Sequence, residues 1–112
     1  MMKAEAIQSI INKPVTIKCW HGTYLQNGVG QVGRFENTNR NLWEWLIILP
    51  GLFGNYIIKS YKDGTNLRLG LDGKCSFGSK HEYDYEQWSI DFDGGHFYFI
   101  NNRHHGNVMQ AD

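Results

Sequence analysis

Acidic residues are scattered along this 112-residue chain, but the segment "EYDYE" at residues 82–86 could place three carboxylates near one another. Alternation along an extended strand would bring Glu82, Asp84 and Glu86 to the same side. Paired carboxylates hydrolyse glycosides only where a cleft holds the substrate between them. Nothing around the segment indicates such a cleft, and no serine lies in the Gly-x-Ser-x-Gly motif of a nucleophile elbow. We therefore interpret the segment as a solvated face and expect a non-enzymatic protein.

The histidines do not have the spacing of a metal site. His104 and His105 are adjacent, and His96 lies eight residues before the first of them. Neighbouring residues of a strand point to opposite sides, so this pair would share an ion only within a turn. The sequence therefore predicts neither a bound metal nor a cofactor.

An internal repeat determines the expected architecture. "HGTYLQNG" (21–28) returns as "DGTNLRLG" (63–70) and "HGNVMQAD" (105–112), at a constant interval. A fixed period of this length, about 42 residues, is typical of folds built from one recurring unit. We therefore expect Gly22, Gly64 and Gly106 to occupy the same bend of successive units.

Each repeat is predicted to hold four short strands. Asp-Gly pairs such as Asp63-Gly64 separate alternating apolar runs, a strong hairpin signal. In "WEWLII" (43–48) and "YEQWSI" (85–90), alternation sends positions 44, 46 and 48 to the core. Trp43, Trp45 and Tyr85 then lie at the rim or outside. The prediction is one domain, residues 1–112, with repeats at 15–50 and 54–92 and a partial repeat at 95–112.

These segments resemble a known superfamily. "IKCWHGTYLQ" (17–26) and "IIKSYKDGTNLRLG" (57–70) are similar to the repeat openings of fascin-like β-trefoils, and "WEWLII" and "YEQWSI" to their Trp-Glu-x-Phe-x-Ile closing strand. "YEQWSI" also resembles the Gln-x-Trp element of ricin-type lectins, although Gln87 and Trp88 are adjacent here. The resemblance implies an all-β trefoil over residues 15–112. Function follows only weakly, because trefoils host many unrelated activities.

The ricin-type resemblance implies a sugar site. That family places an Asp in the first turn, an aromatic ring on the third strand and an amide before the closing Trp. The carboxylate and the amide suit the vicinal hydroxyls of a sugar, and the ring suits the C–H face of a pyranose. Glu86 stands where the family often has Asn, and His21 replaces the Asp in the first repeat. The candidate ligand-binding residues are Asp63, Phe77, Glu86 and Gln87 in the second repeat and Phe35 and Asn41 in the first.

The fascin-like resemblance implies a protein partner instead, such as actin. The chain has more aromatic residues than a small barrel buries, and exposed aromatics favour recognition. The predicted protein-binding residues are the aromatics Trp20, Tyr24, Trp43, Trp45, Tyr61, Tyr83 and Tyr85 with the cations Lys18, Lys59, Lys62, Arg40 and Arg103.

The third repeat lacks its closing strands, because the chain ends two strands into it. One hypothesis is that "EAIQSII" (5–11) supplies the missing closing strand, with Ile7 in the role of Trp88. The alternative is a helix over residues 3–12 that has Ile7, Ile10 and Ile11 on one face. The domain is then cut short or is completed by another chain, for example in a homo-oligomer.

Charge and cysteine content limit the partners. Eleven basic residues balance eleven acidic ones, which does not favour nucleic acid or an anionic membrane. Cys19 and Cys75 are isolated, as in reduced proteins. The longest apolar run, "WLIILPGLFG", is interrupted by Pro50 and is too short to span a bilayer. We expect a cytoplasmic protein.

Overall fold

The structure, a computed structural model, describes residues 3–19, 21–38, 40–70 and 74–101, and the backbone of residues 108–111. A helix, α1 (Lys3–Gln8), comes first, and short 3-10 helices lie at Val29–Gln31, Leu42–Glu44 and Asp84–Glu86. The strands are β1 (Pro14–Val15), β2 (Tyr24–Asn27), β3 (Gly33–Asn37), β4 (Leu46–Pro50), β5 (Tyr56–Ser60), β6 (Asn66–Leu69), β7 (Cys75–Ser79), β8 (Trp88–Phe92), β9 (Phe97–Asn101) and β10 (Val108–Ala111).

The strand boundaries repeat at the predicted interval. β2, β6 and β10 begin at Tyr24, Asn66 and Val108, which are separated by two equal steps. The same step leads from the start of β3 to that of β7 and from the start of β4 to that of β8. The 3-10 helices at 42–44 and 84–86 keep this interval too. The predicted all-β architecture of four-strand repeats is confirmed.

The turn after the first strand of a repeat grows by one residue each time. Backbone pairs across this turn are six, seven and eight residues apart, namely Lys18 with Tyr24, Lys59 with Asn66, and Ile100 with Val108. The sequence interval between the first strands of successive repeats is therefore one residue shorter than the interval between their second strands.

Gly22 and Gly64 form the expected bends in the first two of these turns. Their φ angles are +88° and +72°, a left-handed conformation that only glycine adopts without strain from a Cβ atom. The Gly22 N–H donates to the carbonyl of Cys19, and the Gly64 N–H to that of Ser60, both at 2.9 Å. Gly106 lies outside the described residues.

Antiparallel pairing links the repeats into one sheet. Its order is β1-β4-β5-β8-β9-β10, with β6 and β7 attached as a hairpin to β5. β2 and β3 form a separate hairpin. β4 pairs with β5 along five residues, whereas β5 meets β8 at one position, Tyr56 with Trp88. The sheet therefore passes from repeat 1 to repeat 2 through the long β4–β5 pairing, and the narrow β5–β8 contact lies within repeat 2.

The core forms on the predicted face of the closing strands. Leu46 and Trp88 occupy the same repeat position and are 0% and 1% exposed, and Ile48 and Ile90 below them are buried too. The indole N–H of Trp88 donates to the Leu67 carbonyl at 3.1 Å, so its polar group is satisfied inside the core. Each such side chain contributes roughly 1.5–3 kcal/mol through burial.

The N-terminal segment is a helix, and the closing-strand hypothesis for "EAIQSII" is wrong. Moving β4 back by one repeat gives residues 4–8, which lie within α1 (Lys3–Gln8). Ile7, which the hypothesis placed in the role of Trp88, packs against the core from this helix. Lys, Ala, Glu and Gln also favour helix over strand.

Packing holds this short helix in place, because six residues are too few for a helix to be stable alone. Ala6 and Ile7 are buried, and Ile10 and Ile11 pack against the same core cluster. Lys3 Nζ lies 3.1 Å from Asp91 Oδ1 of β8. Within the ranges described, no helix is long and apolar enough to cross a membrane.

Candidate functional site

Asp63 lies in the turn between β5 and β6, and its carboxylate accepts four hydrogen bonds. Oδ1 accepts the backbone N–H of Thr65 at 3.0 Å and its hydroxyl at 2.6 Å. Oδ2 accepts the side-chain amides of Asn27 and Gln31, both at 2.9 Å. Asn27 and Gln31 belong to the first repeat, so this carboxylate joins the first repeat to the second.

The same donors keep Asp63 ionised. Partial burial alone would raise its pKa, but the hydrogen bonds from Thr65, Gln31 and Asn27 outweigh burial and lower the pKa from 3.8 to about 2. A carboxylate has about four acceptor positions, and all are in use. A sugar hydroxyl would have to displace one of these donors to reach Asp63.

The two phenylalanines of the predicted site face the core. Phe77 on β7 is 4% exposed and belongs to the core cluster. Phe35 on β3 is half-buried and packs against the same cluster. A ring that stacks on a sugar must present a face to solvent, which Phe77 does not do.

Glu86 and Gln87 are buried and hold the backbone around β8. Glu86 Oε1 accepts the Tyr83 N–H at 3.0 Å, as Glu44 Oε1 accepts that of Asn41 one repeat earlier. This reciprocal bond is one half of a capping box. The strand predicted for residues 82–86 is therefore wrong: a 3-10 turn directs Glu86 inward while Glu82 and Asp84 stay exposed.

Gln87 connects two loops. Its Nε2 donates to the Glu82 carbonyl at 2.8 Å, and its Oε1 accepts the Leu52 N–H at 2.9 Å. Gly51 lies against this amide, where a methyl group would collide with Oε1. Asp63 and Gln87 thus belong to different hydrogen-bond networks, and Asn41 is exposed at the start of the 42–44 helix.

Another set of aromatic side chains is exposed. Trp43, Trp45 and Tyr61 expose 40%, 45% and 42% of their surface, and Tyr83 is more exposed still. The expectation that Trp43 and Trp45 lie outside the core is confirmed; Tyr85 is half-buried, and Trp20 lies outside the described residues. The Tyr61 N–H donates to the Trp45 carbonyl at 3.0 Å, and their rings meet edge to face with centroids 6.5 Å apart.

The Trp45 ring is held in position by a contact that recurs in the next repeat. Its Nε1 donates to the Arg40 carbonyl at 2.9 Å, and Gln87 makes the same bond to Glu82. Gln87 and Glu82 are the equivalents of Trp45 and Arg40 one repeat later. In the second repeat the Gly51–Leu52 turn covers this position. In the first repeat Trp45 lines a groove instead.

This Trp45 groove has a volume of about 710 Å³ and is lined by Pro14, Val15, Thr16, Arg40 and Trp45. The Arg40 guanidinium carbon lies 5.8 Å from the centre of the Tyr24 ring. A fixed indole beside a hydroxyl and a guanidinium can bind a flat ligand with one apolar face and several polar groups.

Sequence reasoning missed this groove, although one signal for it exists. Tyr61 and Pro14 reach Trp45 only through the sheet, since β1 and β5 both pair with β4. No local pattern brings them together. The available signal is the difference between the repeats: an exposed Trp stands where the next copy has a buried Gln.

Comparison with known proteins identifies the fold. No family model matches the chain, and no curated protein matches it in sequence. The structure is similar to ThreeFoil, a designed 3-fold symmetric protein, with a TM-score of 0.71 and 14% identity over 88% of this chain and 89% of that one. This similarity confirms the β-trefoil fold.

A natural enzyme contains a similar region. The GlcNAcα1-4Gal-releasing endo-β-galactosidase of Clostridium perfringens matches with a TM-score of 0.69 and 14% identity over 88% of this chain. The match covers 28% of the enzyme's own length. Identity this low shows the fold alone, so the fascin-like and ricin-type resemblances stay predictions.

Proposed function

We propose that this protein is a non-catalytic binding module whose ligand is a carbohydrate, and that the ligand binds in the Trp45 groove. The observation that carries the proposal is the fixed, 45%-exposed Trp45 ring beside Thr16 and Arg40. The β-trefoil fold, often a binding module, and the carbohydrate substrate of the galactosidase that shares it both support a sugar ligand.

Binding follows from the chemistry of the groove. A pyranose has an apolar C–H face that packs on an aromatic ring and equatorial hydroxyls that need donors and acceptors. Trp45 supplies the ring, and its N–H is already bonded to Arg40, so the indole turns little when a ligand arrives. Because less conformational freedom is lost, a preorganised ring binds more tightly than a mobile one.

The residues predicted from the ricin-type resemblance have a supporting role in this proposal. Asp63 and Gln87 hold the turns next to the exposed aromatics through saturated hydrogen bonds. Substituting them would disturb the fold and the ligand together. A substitution inside the Trp45 groove separates binding from folding more cleanly.

A glycan array followed by calorimetry tests the proposal. We expect wild type to bind at least one class of glycan and Trp45→Ala to lose about tenfold or more in affinity, since a stacked ring contributes about 1 kcal/mol beyond its burial. Phe53→Ala removes a 98%-exposed ring elsewhere and is the matched control. Equal binding by wild type and Trp45→Ala, or no glycan bound by wild type, would contradict the proposal.

A protein partner is the second candidate, and the surface around Trp43 favours it. Leu42 is 50% exposed beside Trp43, and Lys62 Nζ lies 3.8 Å from the centre of the Trp43 ring. Exposed aromatics with neighbouring cations suit an acidic partner such as an actin filament. Salt-sensitive co-sedimentation with filaments, lost in Trp43→Ala, is the expected result if this candidate is right.

A further inference from the structure

We propose that the ligand of the Trp45 groove is an acidic saccharide whose carboxylate pairs with Arg40, an inference that rests on the proposed function. Arg40 lines the groove, and its guanidinium contacts the Tyr24 ring without being buried.

Arg40 differs from the other arginines described in its charge partners. Arg34 lies 2.7 Å from Glu36, and Arg68 lies 3.9 Å from Glu86. Among the residues described, no carboxylate lies within ion-pair distance of Arg40. The groove therefore offers a guanidinium that an anionic ligand can reach.

The two charged side chains that flank Trp43 and Trp45 make contacts outside the groove. Lys62 does not line the groove, and its Nζ donates to the carbonyls of Asn27 at 3.1 Å and Gly28 at 3.4 Å and lies over Trp43. Glu44 follows Arg40 by four residues, but its carboxylate is 2% exposed and accepts the Asn41 N–H. An anion entering the groove therefore meets Arg40 without a competing surface carboxylate from Glu44.

The geometry favours a carboxylate on a sugar ring. A guanidinium presents parallel N–H donors that match the two oxygens of a carboxylate, and such pairs are stronger than neutral hydrogen bonds. Trp45 and Arg40 both line the groove, and the indole hydrogen bond to the Arg40 backbone carbonyl fixes the ring beside this residue. A pyranose stacked on Trp45 can thus direct an acidic substituent to Arg40.

Matched sugars test the inference: lactose against 3′-sialyllactose, and galactose oligomers against galacturonic acid oligomers, with galactose-6-sulfate as a further arm. We expect the carboxylated member of each pair to bind about tenfold more tightly, as a charge-assisted hydrogen bond predicts. Arg40→Gln should abolish that preference, and added salt should weaken the preference of the wild type. Arg34→Gln, at an arginine already paired, is the control and should change nothing.

Each alternative result has a distinct meaning. Trp45-dependent binding with no preference for charge would overturn this inference and leave the proposed function intact. A sulfated sugar that binds as tightly as the carboxylated ones would overturn the choice of carboxylate. Binding of poly-glutamate with no glycan bound would overturn both the inference and the proposed function.

Discussion

Trp45 and Gln87 occupy the same position of successive repeats and make the same hydrogen bond with different side chains. Each donates a side-chain N–H to the carbonyl five residues earlier, at 2.9 Å and 2.8 Å. Gln87 also accepts the Leu52 N–H and is buried, while Trp45 is exposed in the groove. One position thus supports the fold in one repeat and offers a binding surface in the other.

Gln87→Ala should destabilise the protein. The substitution leaves the Leu52 N–H and the Glu82 carbonyl without their partner and opens a small void, which together cost about 2–4 kcal/mol. Urea unfolding measures the loss. Gln8→Ala removes an exposed Gln from α1 and should stay within about 0.5 kcal/mol of wild type. A Gln87→Ala variant as stable as wild type would show that Leu52 is held by other contacts.

Asp63 should make stability depend on pH in the acid range. Its pKa is about 2 in the folded protein and near 3.8 when unfolded, so its contribution is complete above pH 3.8. That contribution is lost as the pH falls from 3.8 towards 2. Because the side chain is partly exposed, we expect about 1 kcal/mol rather than the full value of the shift.

The comparison with Asp63→Asn isolates this effect from the other carboxylates. The stability difference between wild type and Asp63→Asn should narrow by about 1 kcal/mol between pH 5 and pH 2. Glu82→Gln, at an exposed carboxylate, controls for the loss of one surface charge. A difference between wild type and Asp63→Asn that does not change with pH would rule out this assignment.

Trp88→Leu should cost roughly 2–4 kcal/mol, although Leu is the native residue at the equivalent position 46. The smaller side chain leaves part of the core unfilled, and the Leu67 carbonyl loses the indole donor. Thermal or urea unfolding measures this cost. Trp43→Leu, at a 40%-exposed indole, should change stability by about 1 kcal/mol or less. Equal effects of the two substitutions would contradict the buried position of Trp88.

Ile7→Ala tests whether α1 seals the core. Ile7 is 7% exposed within the core cluster, so we expect a loss of about 2 kcal/mol in the free energy of unfolding. Lys3→Ala breaks only the exposed contact with Asp91 and should cost at most about 0.5 kcal/mol. If both variants were neutral, the helix would not contribute to the stability of the barrel.

The fold was predictable because residues that the turns and the core require recur in the sequence at a fixed interval. Gly22 and Gly64 need a positive φ, and Leu46 and Trp88 fill one recurring place in the core. Each repeat needs these residues for its own turn and its own part of the core, so the pattern is visible in both repeats of one sequence. The N-terminal helix was harder to predict, since the apolar residues of "EAIQSII" suit either a strand or one face of a helix, and only the packing of Ala6 and Ile7 shows which forms.

The candidate site was predicted less well, because its contacts cross between repeats. Asn27 and Gln31, which are 36 and 32 residues away in the sequence, both donate to the Asp63 carboxylate. They occupy acceptor positions that a bound sugar would need. Trp45 was recognised as exposed, but its neighbours Pro14 and Tyr61 join it only through the paired strands. The place of a residue within its own repeat does not show which residues of other strands or repeats it will contact.

The lengthening first turn has a consequence for how this chain tolerates change. The first turn lengthens by one residue per repeat, whereas the connection that precedes it shortens from five residues between β4 and β5 to four between β8 and β9. Length variation is thereby confined to turns and connections. A peptide grafted beyond Tyr61 would project from the molecule, and the strands on either side would still find their partners.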